Sequence, residues 1–255
     1  MSSSSSSRAR FDSLGMLVAL IVSLVLVSAA SLWRTGEVQR SRCRIHIDDY
    51  KGPVYTTAET ISNEKCLVSS SWMQVTQHTV KTPSDGVIDD WLFVDYHDRV
   101  NVLAELKGGG DIHSGQRFQV FRQRKYALEG KSSLAVVGGI IEPGESAEAA
   151  AKRELDEELH LVSDNMVFLG RFRTDVNRGM GWVNAFLAKD CVSSAGLKAA
   201  NRNQMQVGAA DEEYQRPLRL TFSQLRAEVA RGSFTEVQWS NTVALAVLHL
   251  LDPGQ

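Results

Sequence analysis

"GIIEPGESAEAAAKRELDEELHL", residues 139–161, is a glycine-bounded loop that runs directly into a helix with an acidic face. Pro143 and Gly144 prevent an earlier helical start, and Ser146 supplies a capping hydroxyl. Alanines at 147, 149, 150 and 151 carry the highest helix propensity of any residue, so the pattern predicts a helix over 146–159. Glu154, Glu157 and Glu158 stand at i, i+3 and i+4 and share one face. Ala151, Leu155 and Leu159 form the opposite stripe, which should pack on a sheet. Like charges at this spacing repel by roughly 0.2–0.5 kcal/mol per pair. Two readings are open: a solvated acidic face balanced by Lys152 and Arg153, or a seat for a hard divalent cation, which prefers carboxylate oxygens.

The loop in front of the helix favours the second. Gly138, Gly139 and Gly144 permit a tight turn and close approach of backbone to ligand. Glu145 sits at the loop–helix junction and can fold back towards the glutamates. Arg153 cannot lie on one stripe with all three glutamates but can hold backbone carbonyls or a carboxylate of the loop. His160 follows the helix where a left-handed residue is common and glycine is cheapest. Histidine is among the types enriched at positive φ, so it is a tolerable helix stop.

In order, Gly139, Glu145, Arg153, Glu154, Leu155, Glu157, Glu158 and Leu161 match the Nudix box, and only His160 departs, where the box ends on glycine. The segment thus resembles the Nudix hydrolase family. The resemblance implies an α/β class with an α/β/α sandwich built on a mixed sheet. It implies Mg²⁺ or Mn²⁺ and hydrolysis of a nucleoside diphosphate linked to another moiety. Carried over by position, Glu154, Glu157, Glu158, Glu145 and Gly139 would form the metal site. Glu157 and Arg153 would serve catalysis, with Arg153 orienting the cluster. A metal ion at such a site neutralises charge on the diphosphate and acidifies the attacking water.

Outside the box the chain is loosely similar to the ADP-ribose and nucleotide-sugar pyrophosphatase branch. "VFRQRKY", 120–126, resembles the branch strand that supplies substrate contacts, which nominates Arg122 and Lys125. "GAADEEYQRPLRLTFSQL", 208–225, resembles its acidic loop, which nominates Glu212 or Glu213 as the further catalytic or metal-binding carboxylate, with an ordinary acidic loop as the other reading. Trp72 and Trp91 are candidates for stacking on a base, although strand tryptophans more often pack. Arg173 and Arg178 could meet phosphate or simply carry surface charge. The branch's proline beyond the box is missing, with Val176 and Asn177 in that region. Alternative readings are a non-catalytic Nudix-fold module binding a nucleotide or protein, or a pyrophosphatase for NADH or a dinucleoside polyphosphate.

The rest of the chain sets the context. With 255 residues and a formal charge of -2, nothing suggests nucleic acid as the main partner. Residues 1–13 are serine-rich and read as disordered. Residues 14–33, "LGMLVALIVSLVLVSAASLW", are uncharged and long enough to span a bilayer as a signal-anchor. Cleavage after Val27–Ala29, releasing the chain into a secretory or organellar lumen, is the alternative. Residues 34–66 read as a linker and 67–255 as the Nudix domain, with N-terminal strands over 67–96 and the catalytic part over 97–255. Those strands, read as a short β-meander over 70–96, resemble a segment that often pairs between subunits, which implies a possible homodimer. Strands then follow at 99–106, 117–126, 166–175 and 181–190. A strand, turn and helix span 215–232, and a last helix runs to 251 with Ser240 or Asn241 as its cap. Cys43, Cys66 and Cys191 are either free thiols or, in a lumenal setting, include a Cys43–Cys66 bridge.

Overall fold

The structure is a computed structural model that describes residues 43–108, 115–194 and 215–252. An antiparallel meander opens the fold. β1 (Ile45–His46) lies beside β2 (Thr60–Ser69), which pairs with β3 (Met73–Lys81), which pairs with β4 (Val87–Tyr96). In β3, Thr76, His78 and Val80 are buried and their neighbours are not, as a period of two requires. His78 is satisfied on both ring nitrogens, by the hydroxyls of Thr60 and Thr76, each at 3.0 Å.

The segment expected to be a linker is partly structured. β2 begins at Thr60, and a disulfide joins Cys43 to Cys66. The lack of periodicity in 43–58 reflects a strap held by side chains. Tyr50 is buried there, and the backbone N–H of Tyr55 donates to Asp95 Oδ1 at 2.5 Å. The apolar run 14–33, together with Glu212 and Glu213, lies outside the described residues. Among the described residues, no helix is long and apolar enough to cross a membrane.

The catalytic half contains β5 (Arg99–Leu106), β6 (Arg117–Arg124), β7 (Ser132–Ala135), β8 (Val137–Ile140), α1 (Ala147–Leu159), β9 (Leu161–Val162), β10 (Asn165–Asp175), β11 (Gly179–Ser193), β12 (Gln215–Thr221), α2 (Phe222–Ala230) and α3 (Val237–Leu251). The main sheet path is β1-β2-β3-β4-β11-β5-β6-β12, with β11 parallel to β4 and β5 and antiparallel to β10. The expected mixed sheet is therefore present, and it is one continuous sheet from the meander into the catalytic half.

One departure from simple pairing positions the site. β5 and β6 are bonded only from Ala104↔Gln119 to Leu106↔Arg117. Beyond that point they fork. β8 takes over on β5, with Asn101↔Gly138 and Val100↔Gly139, while β7 takes over on β6, with Gln123↔Ser133. Val136, buried, is the single residue between β7 and β8.

α1 forms where the sequence pattern puts it. Ser146 is the N-cap and its Oγ accepts from the Ala149 N–H at 3.2 Å. Ala150, Ala151 and Leu155 are buried in the main core with Phe118, Phe121 and Leu187, and Leu159 packs at its edge. His160 adopts φ 51°, ψ 42°, the left-handed conformation, and its N–H donates to Asp156 O at 3.0 Å. His160→Gly is expected to stabilise the chain by about 1 kcal/mol, the usual gain when glycine replaces another residue at a left-handed position. Its turnover should stay within about twofold of the parent. Paired melting and activity measurements check this, and a large activity loss at unchanged stability would refute it.

α3 starts earlier than its expected cap. Glu236, with no side-chain cap bond, precedes Val237, and the buried Gln238 and Trp239 form the first turn. Burial of Trp239 outweighs the capping preference that pointed to Ser240 or Asn241.

Candidate active site

The fork between β5 and β6 opens a cleft of about 720 Å³. Gly138, Gly139 and Ile140 of β8, Asn101 of β5 and Glu158 of α1 line one side. Gln123 of β6, Lys125, Tyr126 and Gln215 of β12 line the other, with Tyr96, Arg99, Glu236 and Trp239 completing the rim. Arg99 is held by α3, 3.9 Å from Glu236 Oε1 and 3.5 Å from Gln238 Oε1.

Arg153 organises the acidic side. Its Nε and Nη2 donate to Glu145 Oε1 and Oε2, both at 3.0 Å, a bidentate fork. Nη2 also donates to the carbonyl of Ile140 at 2.9 Å, tying the loop to the helix. Nη1 reaches Glu154 Oε1 at 2.6 Å and Glu157 Oε2 at 3.0 Å. The expectation that Arg153 grips the loop carboxylate and a carbonyl agrees with this geometry. Its reach to two carboxylates of the helix itself was not anticipated. Arg153 and Glu157 are four residues apart and therefore neighbours on the helix surface, although Arg153 cannot share a stripe with all three glutamates.

The four carboxylates differ electrically. The Arg153 hydrogen bonds hold Glu145 below the usual carboxylate range. Burial raises Glu154, against the opposing pull of Arg153. Glu158 is pushed up to about 7, chiefly by burial and then by the charge of Glu154, while Lys125 and a backbone hydrogen bond from Gly138 pull it back. Glu157 is largely exposed, with 59% of its side-chain surface accessible.

Gly139 leaves room for a neighbouring side chain rather than for an unusual backbone angle. A Cβ there would fall 1.9 Å from Glu154 Oε1, so the carboxylate lies directly over this glycine. Glu154 and Glu158 thus bring carboxylate oxygens to the Gly138–Gly139 side of the cleft, the hard donor chemistry that a divalent cation needs. Among the described residues no three acidic, histidine or cysteine side chains converge as a finished cage, because Glu154 and Glu157 are turned onto Arg153.

The nominated substrate residues divide. Lys125 lines the cleft, but Arg122 does not. Lys125 has an extended backbone and continues the alternation of β6, so Gln123 and Lys125 share a face and Arg122 points to the other. There its charge acts on Glu228 of α2. Trp72 lies in the turn between β2 and β3, 64% exposed, and Trp91 donates its indole N–H to Asn177 O at 3.0 Å. Neither lines the cleft. Arg178 stacks on Trp91 at 4.5 Å, and Arg173 sits between Tyr55 and Trp182, 4.6 Å from each ring centre. Both arginines therefore anchor aromatic rings on the β4–β11 face. Asn101, Gln123, Gln215, Glu236 and Trp239 were not foreseen. For Gln123 the signal was available in the strand alternation that also excludes Arg122.

A NUDIX domain model matches residues 95–215. No curated protein sequence matches the chain. Among solved structures, an ADP compounds hydrolase aligns with a TM-score of 0.54 at 16% identity, covering 81% of this chain and 98% of that one. That likeness is one of fold. The domain match falls on the forked sheet and the Arg153-centred carboxylate helix, so the chain carries a NUDIX domain over residues 95–215.

Proposed function

We propose that this chain hydrolyses the pyrophosphate bond of a nucleoside diphosphate linked to a second moiety, with ADP-ribose or a nucleotide sugar as substrate and Mg²⁺ or Mn²⁺ as cofactor. The observation that carries the reading is the cleft itself. It sets the half-buried Glu158, beside Glu154 and Gly139, across from Lys125. Glu154, Glu158 and the Gly139 carbonyl would hold the cation, with Glu157 and Glu145 supporting it. When bound, the cation supplies charge neutralisation on the diphosphate and a more acidic attacking water. Arg153 keeps Glu145, Glu154 and the Ile140 carbonyl in register, so the donors need little reorganisation. Lys125 offers a point charge to a phosphate oxygen. Glu212 or Glu213 would take the proton from water.

A phosphate-release screen with Mg²⁺ over ADP-ribose, nucleotide sugars, NADH, coenzyme A and dinucleoside polyphosphates tests the reading. Turnover is expected on the first two classes, and no metal-dependent release from any member would end it.

The apolar run at 14–33 is proposed as a membrane anchor. The Cys43–Cys66 bridge supports an oxidising, lumenal or extracytoplasmic side for the domain. Alkylation of unreduced membranes, which should label neither cysteine, tests that placement. A homodimer through the meander strands is proposed from the family resemblance, and one molar-mass measurement decides it.

A further inference from the structure

Among the described residues, few buried polar side-chain atoms lack a hydrogen-bond partner, and Asn101 Nδ2 is one of them. Asn101 is 2% exposed, and it lines the cleft from β5. A buried donor left unpaired is destabilising, and in native proteins such a group calls for an explanation, a functional role among them. The fold also makes room for this side chain. A Cβ on Gly138 would lie 2.5 Å from Asn101 Oδ1 and 3.0 Å from the Val100 carbonyl, so a side chain at this position, paired with Asn101 across the ladder, would displace the amide. The two adjacent glycines are thus two seats, Gly139 for Glu154 and Gly138 for Asn101. Gly138 and Glu158 line the same cleft as Asn101, which places the amide beside its acidic side.

We propose that Asn101 is a substrate-contacting residue whose Nδ2–H₂ donates to a non-bridging oxygen of the bound diphosphate. The missing partner must be an acceptor, because the unpaired atom is a donor. Beside Glu158 and across from Lys125, the acceptor-rich part of the ligand is its diphosphate, not its base. The inference deepens the pyrophosphatase reading and rests on it for the identity of the ligand.

The test uses the full chain with Asn101→Ala and Asn101→Asp. Binding of α,β-methylene-ADP with Mg²⁺ is measured by calorimetry, beside ADP-ribose turnover and thermal melting. Asn101→Ala is expected to weaken binding about tenfold, the loss typical of one hydrogen bond to a charged group, and to lower kcat/KM in parallel. Its melting temperature should stay level or rise, because the substitution removes an unpaired donor. Asn101→Asp should bind more weakly still, since a carboxylate faces phosphate. Affinity within twofold of the parent in Asn101→Ala overturns the proposal. So does a fall in melting temperature that tracks the affinity loss, with Asn101→Asp no worse than Asn101→Ala. A parent chain that binds the analogue but hydrolyses nothing refutes the pyrophosphatase reading alone, while the binding comparison still decides the role of Asn101. A parent chain that does not bind the analogue overturns both.

Discussion

Glu158→Gln is expected to make the cation-free protein more stable at pH 8 and to collapse its turnover. Burial raises the Glu158 carboxyl to about 7, above the value of 4.5 for a free glutamate. The folded state therefore holds this proton more tightly than the unfolded state. The stabilisation from that proton is fully present below pH 4.5 and is lost as pH rises through 7. At pH 8 the folded chain carries a half-buried charge that it disfavours by on the order of 3 kcal/mol. A neutral glutamine removes most of that penalty, so the variant should gain roughly 2–3 kcal/mol and lose the downward slope between pH 4.5 and 7. The same change takes away a proposed cation ligand, so turnover should fall by roughly 10³-fold, the equivalent of several kcal/mol of transition-state charge stabilisation. Melting curves over pH with and without Mg²⁺ read both effects. Cation-induced stabilisation that survives in the variant would show that Glu158 is not a ligand.

Arg153→Ala acts in the opposite direction on stability. It leaves Glu145, Glu154 and the Ile140 carbonyl without the guanidinium that they share, and Glu154 is only 9% exposed. Removing one partner from a partly buried ion-pair network should destabilise by roughly 2–4 kcal/mol, or about 5–15 °C in a domain of this size. Arg153→Lys should recover little, because an ammonium cannot make the fork to Glu145 while also reaching Ile140. Turnover and cation affinity should fall about 10–100-fold, as when an orienting partner of a metal ligand is lost. Saturating Mg²⁺ should restore part of the lost stability, since it neutralises the same carboxylates. A variant that melts with the parent would mean that the loop–helix clamp stands without Arg153.

The acidic helix was legible because its information is local. Helix propensity, the Ser146 cap and a spacing of three and four residues all act within one turn of chain. The left-handed His160 could be read for the same reason. The cleft was less legible because it is made by a change of partners. Nothing near Asn101 announces that β5 exchanges β6 for β8 there, or that α3 brings Trp239 to the same rim from the far end of the chain. Trp72 and Trp91 were nominated on chemistry, but a ring's usefulness depends on which face and which end of the sheet it occupies. Arg122 is the instructive miss, since alternation alone sets it against Lys125. The strap over 43–58 escaped notice because side-chain bonds such as Tyr55 to Asp95 leave no periodic trace.

The fork has a consequence for how such a site diversifies. Asn101, Gly138, Gly139 and Glu158 belong to one hydrogen-bonded ladder and the helix packed on it, whereas Gln123, Lys125, Tyr126 and Gln215 ride on the other, with Val136 as the joint. The bond-breaking apparatus and the wall that meets the rest of the ligand are thus mechanically separable parts. Exchanges at Gln123, Tyr126 and Gln215 on the β6–β12 wall, with Lys125 kept for the phosphate, can redirect the choice of ligand without disturbing the carboxylates, so a library confined to those positions would search selectivity while sparing the chemistry.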